Sequence, residues 1–180
     1  MYPLPLITRH ILRRNSHSAF KIGDNSYVNL GRNYEETCKN VLSKAFSVPV
    51  KMVGGANDGG IDLIWSKSLK PGTETQFIGQ CKLKERKGIT PEVCRAFDGV
   101  LSKQPAGTVG CLITNIRPSE KAKDTIDGSQ FPIIYINICN RSNCGYIKEI
   151  IFNRKFKEMY SSIGSVFTRY KDYMHVVLRF

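Results

Sequence analysis

Residues 31–46 place apolar side chains at Tyr34, Cys38, Val41 and Ala45, a recurrence every three or four positions that predicts a helix with one buried stripe. Glu35 falls about 100° round that helix, on the flank shared by Leu42 and Phe46, at the edge of the buried face. Glu36 lies a further step round, in solvent. One of the two neighbouring glutamates can therefore lean toward a site beneath the helix, and the other cannot. Beyond the helix, residues 48–53 and 61–65 predict short strands. The Gly-Gly-Ala-Asn-Asp-Gly-Gly segment between them (54–60) can only be a tight loop, because its glycines reach backbone angles that other residues avoid. Residues 76–82 predict the next strand, with Pro71-Gly72 marking the turn. Pairing the two strands about Gly72 sets Asp62 opposite Lys82 and Ile64 opposite Gln80. Gln80 and Lys82 then share one face while Cys81 points to the other.

A second helix is predicted over 91–103, with Thr90 as N-cap, Pro91 at its first position, and Val93, Ala96, Phe97 and Val100 facing the core. A buried strand (109–114), a short helix from about Ser119 and another buried strand (132–138) follow. The order helix, three strands, helix, strand, helix, strand predicts a three-layer α/β sandwich. Its mixed central β-sheet is flanked by helices, antiparallel at first and parallel later. The tail mixes apolar and basic residues, with strand candidates at 147–152 and 175–178. The expected organisation is a leader over 1–23, a core over 24–144, and an extension over 145–180 packed on the core.

Length suits one domain, and a hydrophobic fraction of 41% excludes disorder throughout. Charge changes the picture more. The 27 Lys and Arg against 15 Asp and Glu give a net charge of +12, a positive potential that attracts polyanions. The alternative is a basic leader on a solvated basic surface. Residues 1–23 hold Arg9, Arg13, Arg14 and Lys21 with no acid, and Leu6, Ile7, Ile11 and Leu12 lie between the arginines. That is the composition of a mitochondrial import signal, cleaved between Arg14 and Asp24, and it implies a matrix location. The alternative is a basic tail that touches nucleic acid directly. Without Arg9, Arg13 and Arg14, basic residues still outnumber acidic ones. No run of 18 apolar residues exists, so no membrane span is expected. The six cysteines make no C-x-x-C pair and sit in apolar runs, which suits reduced core residues better than zinc ligands or a Cys139–Cys144 disulfide.

The candidate chemistry lies where the predicted strands meet. Asp62 supplies a hard oxygen ligand, and Gln80 supplies a second through its amide oxygen, with the Cys81 backbone carbonyl between them. Lys82, on the Gln80 face, is suited to stabilise developing charge or to orient a water. Glu35 can complete a metal shell, directly or through water. An oxygen shell with a cation beside it is what metal-assisted phosphodiester hydrolysis requires. Lys84, Arg86 and Lys87 would usually be a solvated run, but beside such a site they can contact phosphates.

The same residues carry a resemblance. Gly31-Arg-Asn-Tyr34-Glu35, then Gly60-Ile-Asp62-Leu63, then Gln80-Cys81-Lys82, then Leu112-Ile-Thr114-Asn115 with Ser119 and Ala122, occur in order along 31–138. This resembles the Mrr-type branch of the PD-(D/E)xK, restriction-endonuclease-like superfamily. Within it, the chain is similar to fungal mitochondrial proteins required for respiratory growth, including in its tail. The resemblance implies a restriction-endonuclease-like sandwich. It implies a nuclease using Mg²⁺ or Mn²⁺, with Glu35, Asp62, Gln80 and Lys82 as catalytic residues and DNA, mitochondrial in origin, as partner. The superfamily's usual acid in the third motif is Gln80 here, as in the Mrr-type branch, and the missing charge weakens magnesium binding.

Three functions follow. The first is a DNA endonuclease or DNA-processing nuclease acting on mitochondrial genomes. The second is a catalytically silent nucleic-acid binder. The third is a respiratory-assembly or ribosome-associated factor that has inherited the fold. A dimer is compatible with each. Retention of Glu35, Asp62, Gln80 and Lys82 together favours the enzyme, since a binder has no need of that set.

Overall fold

The computed structural model describes residues 24–54, 59–85, 88–140, 145–161, 164–170 and 173–179, and lays six strands side by side in the order in which they occur along the chain. The leader at 1–23, Asp58, Arg86, Lys87 and Cys144 lie outside the described residues. Helix α1 (Asp24–Phe46) leads into β1 (Lys51–Met52), β2 (Leu63–Lys70) and β3 (Thr73–Lys82). Then α2 (Pro91–Leu101), β4 (Val109–Thr114), α3 (Glu120–Asp127) and β5 (Ile133–Cys139) alternate. Strand β6 (Tyr146–Phe152) and α4 (Arg154–Met159) follow, and β7 (Gly164–Tyr170) pairs with β8 (Tyr173–Arg179) in a separate two-stranded sheet.

The β1–β2 and β2–β3 pairs are antiparallel, β3–β4 and β4–β5 parallel, and β5–β6 antiparallel. Two crossovers that step the same way along a sheet put their helices on the same side, since such connections are right-handed. Accordingly α2 and α3 pack together on one face, around Ile78, Phe97, Leu112, Ile126 and Tyr135. Helix α1 takes the other, around Leu63, Phe77, Cys111, Ile113 and Ile136. The result is the expected three-layer α/β sandwich.

Sequence periodicity misplaced two helix faces and one register. Helix α1 starts seven residues earlier than Gly31, and its buried row is Tyr34, Cys38, Leu42 and Phe46, with Val41 and Ala45 on the flank. Leu42 and Phe46 remove more apolar area from water than Val41 and Ala45, so the helix turns toward them. Phe46 meets the Trp65 and Phe77 rings edge-on at 5.1 and 5.3 Å. In α2 Phe97 is buried and Val93 and Val100 pack against the same core as expected, but the fully buried row also takes Cys94 and Leu101, and Ala96 is exposed. The reason lies beneath it, in Gly110 of β4. A Cβ there would stand 2.7 Å from Leu101 and 2.8 Å from Phe97, which fill its space. In the β2–β3 hairpin Ile64 faces Ile78, not Gln80. The turn is the two-residue Pro71-Gly72, with Gly72 at φ +75, and a bulge between Ser68 and Lys70 shifts the ladder further. The net slip is two residues, so each side chain keeps its expected face.

The first strand of the tail belongs to the main sheet. β6 supplies its last strand, and the β7–β8 hairpin lies against β6 and α1. Helix α4 was missed from sequence, since six residues are too few to show a period. Its N-cap, Asn153, is fully buried. Its Oδ1 accepts from the Ile133 and Phe156 N–H groups, and its Nδ2 donates to the Ile126 and Phe131 carbonyls, all at 2.9–3.0 Å. One side chain thus joins α3, β5 and α4. Asn153→Ala would take this partner from the Ile133 and Phe156 N–H groups and the Phe131 carbonyl, while the Ile126 carbonyl keeps its bond from the Ser129 N–H, so urea unfolding is expected to show a loss of about 3 kcal/mol or more. A loss under about 1 kcal/mol would show that water replaces the amide freely.

Candidate active site

The C-terminal ends of β3, β4 and β5 stand side by side, with Lys82 beside Thr114 and Thr114 beside Asn137. Crossover loops leave a parallel sheet at this end and open a crevice there. Alternation along β3 turns Ile78, Gln80 and Lys82 toward the α2–α3 face and Cys81 toward α1.

Asp62 sits half-buried just before β2. Its N–H donates to the Gly79 carbonyl at 2.9 Å, and its own carbonyl accepts from Val53 at 3.0 Å. Its Oδ2 accepts the Cys81 N–H at 2.6 Å, the short length of a charge-assisted bond. Gln80 is 6% exposed, and its Nε2 donates to the Gly60 carbonyl at 2.8 Å. Gly60 holds φ +85, and a Cβ on it would lie 2.6 Å from that nitrogen, so the position needs glycine for conformation and for space. The bond also fixes which way the amide points, because the reverse would set two acceptors face to face. What remains is Gln80 Oε1, buried and with no hydrogen-bond partner among the described residues. An acceptor left in that state costs about 1–3 kcal/mol and calls for a cation or an ordered water.

Cys81 gathers the neighbouring charges. The hydrogen bond with Cys38, burial and the Cys38 charge hold its thiol well above the usual range, and the Asp62 and Glu35 carboxylates add to the shift. Both carboxylates therefore stand within electrostatic reach of the same sulfur. Glu35 is half-buried on α1, whereas Glu36 is exposed and pairs with Lys39 at 3.5 Å. Lys82 is half-buried, and its ammonium has no hydrogen-bond or ion-pair partner among the described residues. Lys84 is exposed beyond the strand. Asn115 clamps its backbone, with Oδ1 accepting from the Lys84 N–H and Nδ2 donating to the Lys84 carbonyl, both at 2.8 Å.

The fold thus brings Asp62, Gln80 and Cys81 together, sets Glu35 near Cys81, and puts Lys82 on the Gln80 face. Lys84 stands outside that group. Two supporting residues escaped the sequence reading: Gly60 as the partner of Gln80, and Asn115 as the tie between the β3 and β4 exits. Each lay inside a recognised motif, but nothing in residue type announced its contact. Among the described residues no three His, Cys, Asp or Glu side chains converge in a metal-holding cluster. A cation here would depend on the Asp62 carboxylate, the Gln80 amide oxygen and the Cys81 carbonyl. All three are hard oxygens, a donor set that suits Mg²⁺ or Mn²⁺, and the orphaned Gln80 Oε1 fits such an ion.

Cys38, Cys81, Cys94, Cys111 and Cys139 are free thiols. Among the described residues no helix is long and apolar enough to cross a membrane.

A solved complex of the MspJI restriction endonuclease with a 27-mer oligonucleotide is similar to 62% of this chain, at 23% identity and a TM-score of 0.48. The chain spans 26% of that protein's length. No curated protein matches it. The sequence profile of the Mrr catalytic type, described as restriction endonuclease, matches residues 30–140, a stretch that holds Glu35, Asp62, Gln80 and Lys82. That match spans more than half of the 180 residues, and the chain belongs to this restriction endonuclease family.

Proposed function

We propose that the chain is a metal-dependent DNA endonuclease or DNA-processing nuclease. The observation that carries this reading is the buried Gln80 Oε1, without a partner among the described residues, on the face of Lys82 and next to the residue whose N–H is bound by Asp62. Asp62, Gln80 Oε1 and the Cys81 carbonyl would hold Mg²⁺ or Mn²⁺, with Glu35 reaching it directly or through water. When bound, the ion lowers the pKa of an attached water and offsets charge on the phosphate. The protein residues do the rest. Gly60 and Gln80 lock each other in place, the Cys81 N–H aims the Asp62 carboxylate, and Lys82, whose ammonium has no partner among the described residues, faces the phosphate oxygens. In the hydrolysis, water oxygen bonds to phosphorus, one phosphorus–oxygen ester bond breaks, and the departing sugar oxygen takes a proton. The competing reading is a silent nucleic-acid binder, favoured by the neutral Gln80 where an acid would hold a cation more firmly.

The purified chain, incubated with duplex, single-stranded and branched DNA, is expected to cleave with Mg²⁺ and at least as well with Mn²⁺, which tolerates weaker oxygen sets. Asp62→Ala and Lys82→Ala are expected to lower the rate by about 100-fold or more while melting cooperatively. Asp62→Ala should hold or tighten metal-free DNA binding, since a negative charge leaves the phosphate path, and Lys82→Ala should weaken it slightly. Glu35→Gln should cost less than Asp62→Ala, and the exposed Glu36→Gln should change little. Absence of cleavage with either metal on every DNA form would move the assignment to the binder.

Affinity should also depend steeply on salt. Each phosphate neutralised adds about −0.9 to the slope of log K against log salt. Titrations at several ionic strengths measure that slope, and a flat line would remove both nucleic-acid readings.

We further propose that the protein acts in the mitochondrial matrix, in genome maintenance that supports respiratory growth. The support is the acid-free, arginine-bearing composition of residues 1–23. A chain lacking 1–23 is expected to stay cytosolic in cell fractionation while remaining folded. Its arrival in the matrix would exclude this role for the leader.

A further inference from the structure

Four polar residues share one row of the sheet near the Gln80 site. Lys82, Thr114, Asn137 and Glu149 are successive register partners across β3, β4, β5 and β6. They interrupt strands that are otherwise largely apolar and face the α2–α3 side with Gln80. Past the end of β4 comes Arg117, 78% exposed. Its side chain reaches back so that Nε stands 3.5 Å from Glu149 Oε2, an ion contact without hydrogen-bond geometry. Glu149 is the register partner of Asn137, which places the pair beside β5; the Tyr135 hydroxyl nearby has its pKa raised chiefly by burial, with the Thr114 hydrogen bond opposing and the Glu149 carboxylate adding to the shift.

The backbone beneath Arg117 is held firmly while its head is held loosely. The Thr114 and Tyr135 hydroxyls stand in contact with each other and with the Ile116 carbonyl, two protons serving three contacts. The Arg117 carbonyl accepts from the Ile89 N–H at 3.4 Å, and Ile89 bridges Pro118 in parallel. A pinned main chain adds no backbone-ordering cost to capturing a ligand, and the planar fork of the exposed guanidinium matches two oxygens of a phosphate. Lys82 and Glu149 stand three strand spacings apart, about 14 Å, so a nucleic-acid backbone crossing this end would meet Lys82 and Arg117 at different phosphates.

We propose that Arg117 is a phosphate-binding residue of the nuclease site, parked on Glu149 when no nucleic acid is present and transferred to a backbone phosphate when it binds. This rests on the nucleic-acid reading above. Glu149 is then a tether that competes with substrate for the guanidinium, so removing its charge should strengthen binding through Arg117 alone.

The test uses the full chain, a fluorescein-labelled DNA duplex, and EDTA to prevent cleavage. Arg117→Ala is expected to raise Kd about 10-fold and to make the salt slope shallower by about one. With Mg²⁺ or Mn²⁺ the same variant should raise KM with kcat changed less than about twofold, because uniform binding is lost. Arg117→Lys should recover part of the affinity. Glu149→Gln is expected to lower Kd about threefold in the parent chain and to leave it unchanged in the Arg117→Ala background. Arg117→Ala with parental Kd and slope would overturn the proposal while leaving the nuclease reading intact. So would equal tightening by Glu149→Gln in both backgrounds, since that describes a general charge effect. A parent chain that binds no DNA at low salt would overturn both.

Discussion

Two hydrogen bonds tie the loop ahead of β2 to the end of β3, and the candidate chemistry depends on them. The Asp62 carboxylate accepts from the Cys81 N–H, and the Gln80 amide donates to the Gly60 carbonyl. One runs from strand backbone to loop side chain, the other from strand side chain to loop backbone. Neither alone would fix both partners. Together they hold the Asp62 carboxylate and the Gln80 amide against the same turn. They also explain why the two glycines before Ile61 are so exposed to constraint: Gly59 and Gly60 both hold positive φ, and the chain must make that turn to bring Asp62 to β3.

This local lock sits on a larger support. Helix α1 buries an unbroken row from Tyr34 to Phe46 against the sheet, each large side chain contributing about 1.5–3 kcal/mol of burial. The row carries Glu35 on its flank, so core packing on one side of the helix sets where a charged group stands on the other. Cys38 meets Cys81 at the same interface. Helix placement and candidate site geometry are therefore coupled through residues with no chemical role of their own.

Element order, the mixed sheet and the faces of Gln80, Cys81 and Lys82 were legible in the sequence because they follow from periodicity and turn chemistry. A register slip of two went unseen, yet it cost nothing, since strand faces repeat every two residues. What failed were quantities set by partners. The α2 face depended on the empty space above Gly110, a feature of another strand. The α1 row depended on which side chains removed most area, not on which spacing looked most regular. Polar residues inside apolar strands, Asn137 and Glu149, carried a signal that periodicity treats as noise. Their alignment with Thr114 and Lys82 exists only once the register is known. Asn153 was equally silent: a lone asparagine between a strand and a short basic segment gives no hint of four buried bonds.

The sheet's strand order also has a consequence for assembly. From β1 to β6 each strand pairs with its immediate predecessor along the chain. A polypeptide emerging N-terminus first, from a ribosome or a translocation pore, would find the docking edge for each new strand already built. No strand has to wait open for a distant segment, and only one sheet edge grows at any moment. That spares the nascent chain the long exposure of unpaired edges that makes sheets with out-of-order strands prone to association. A vectorially delivered protein with this topology can fold as it arrives.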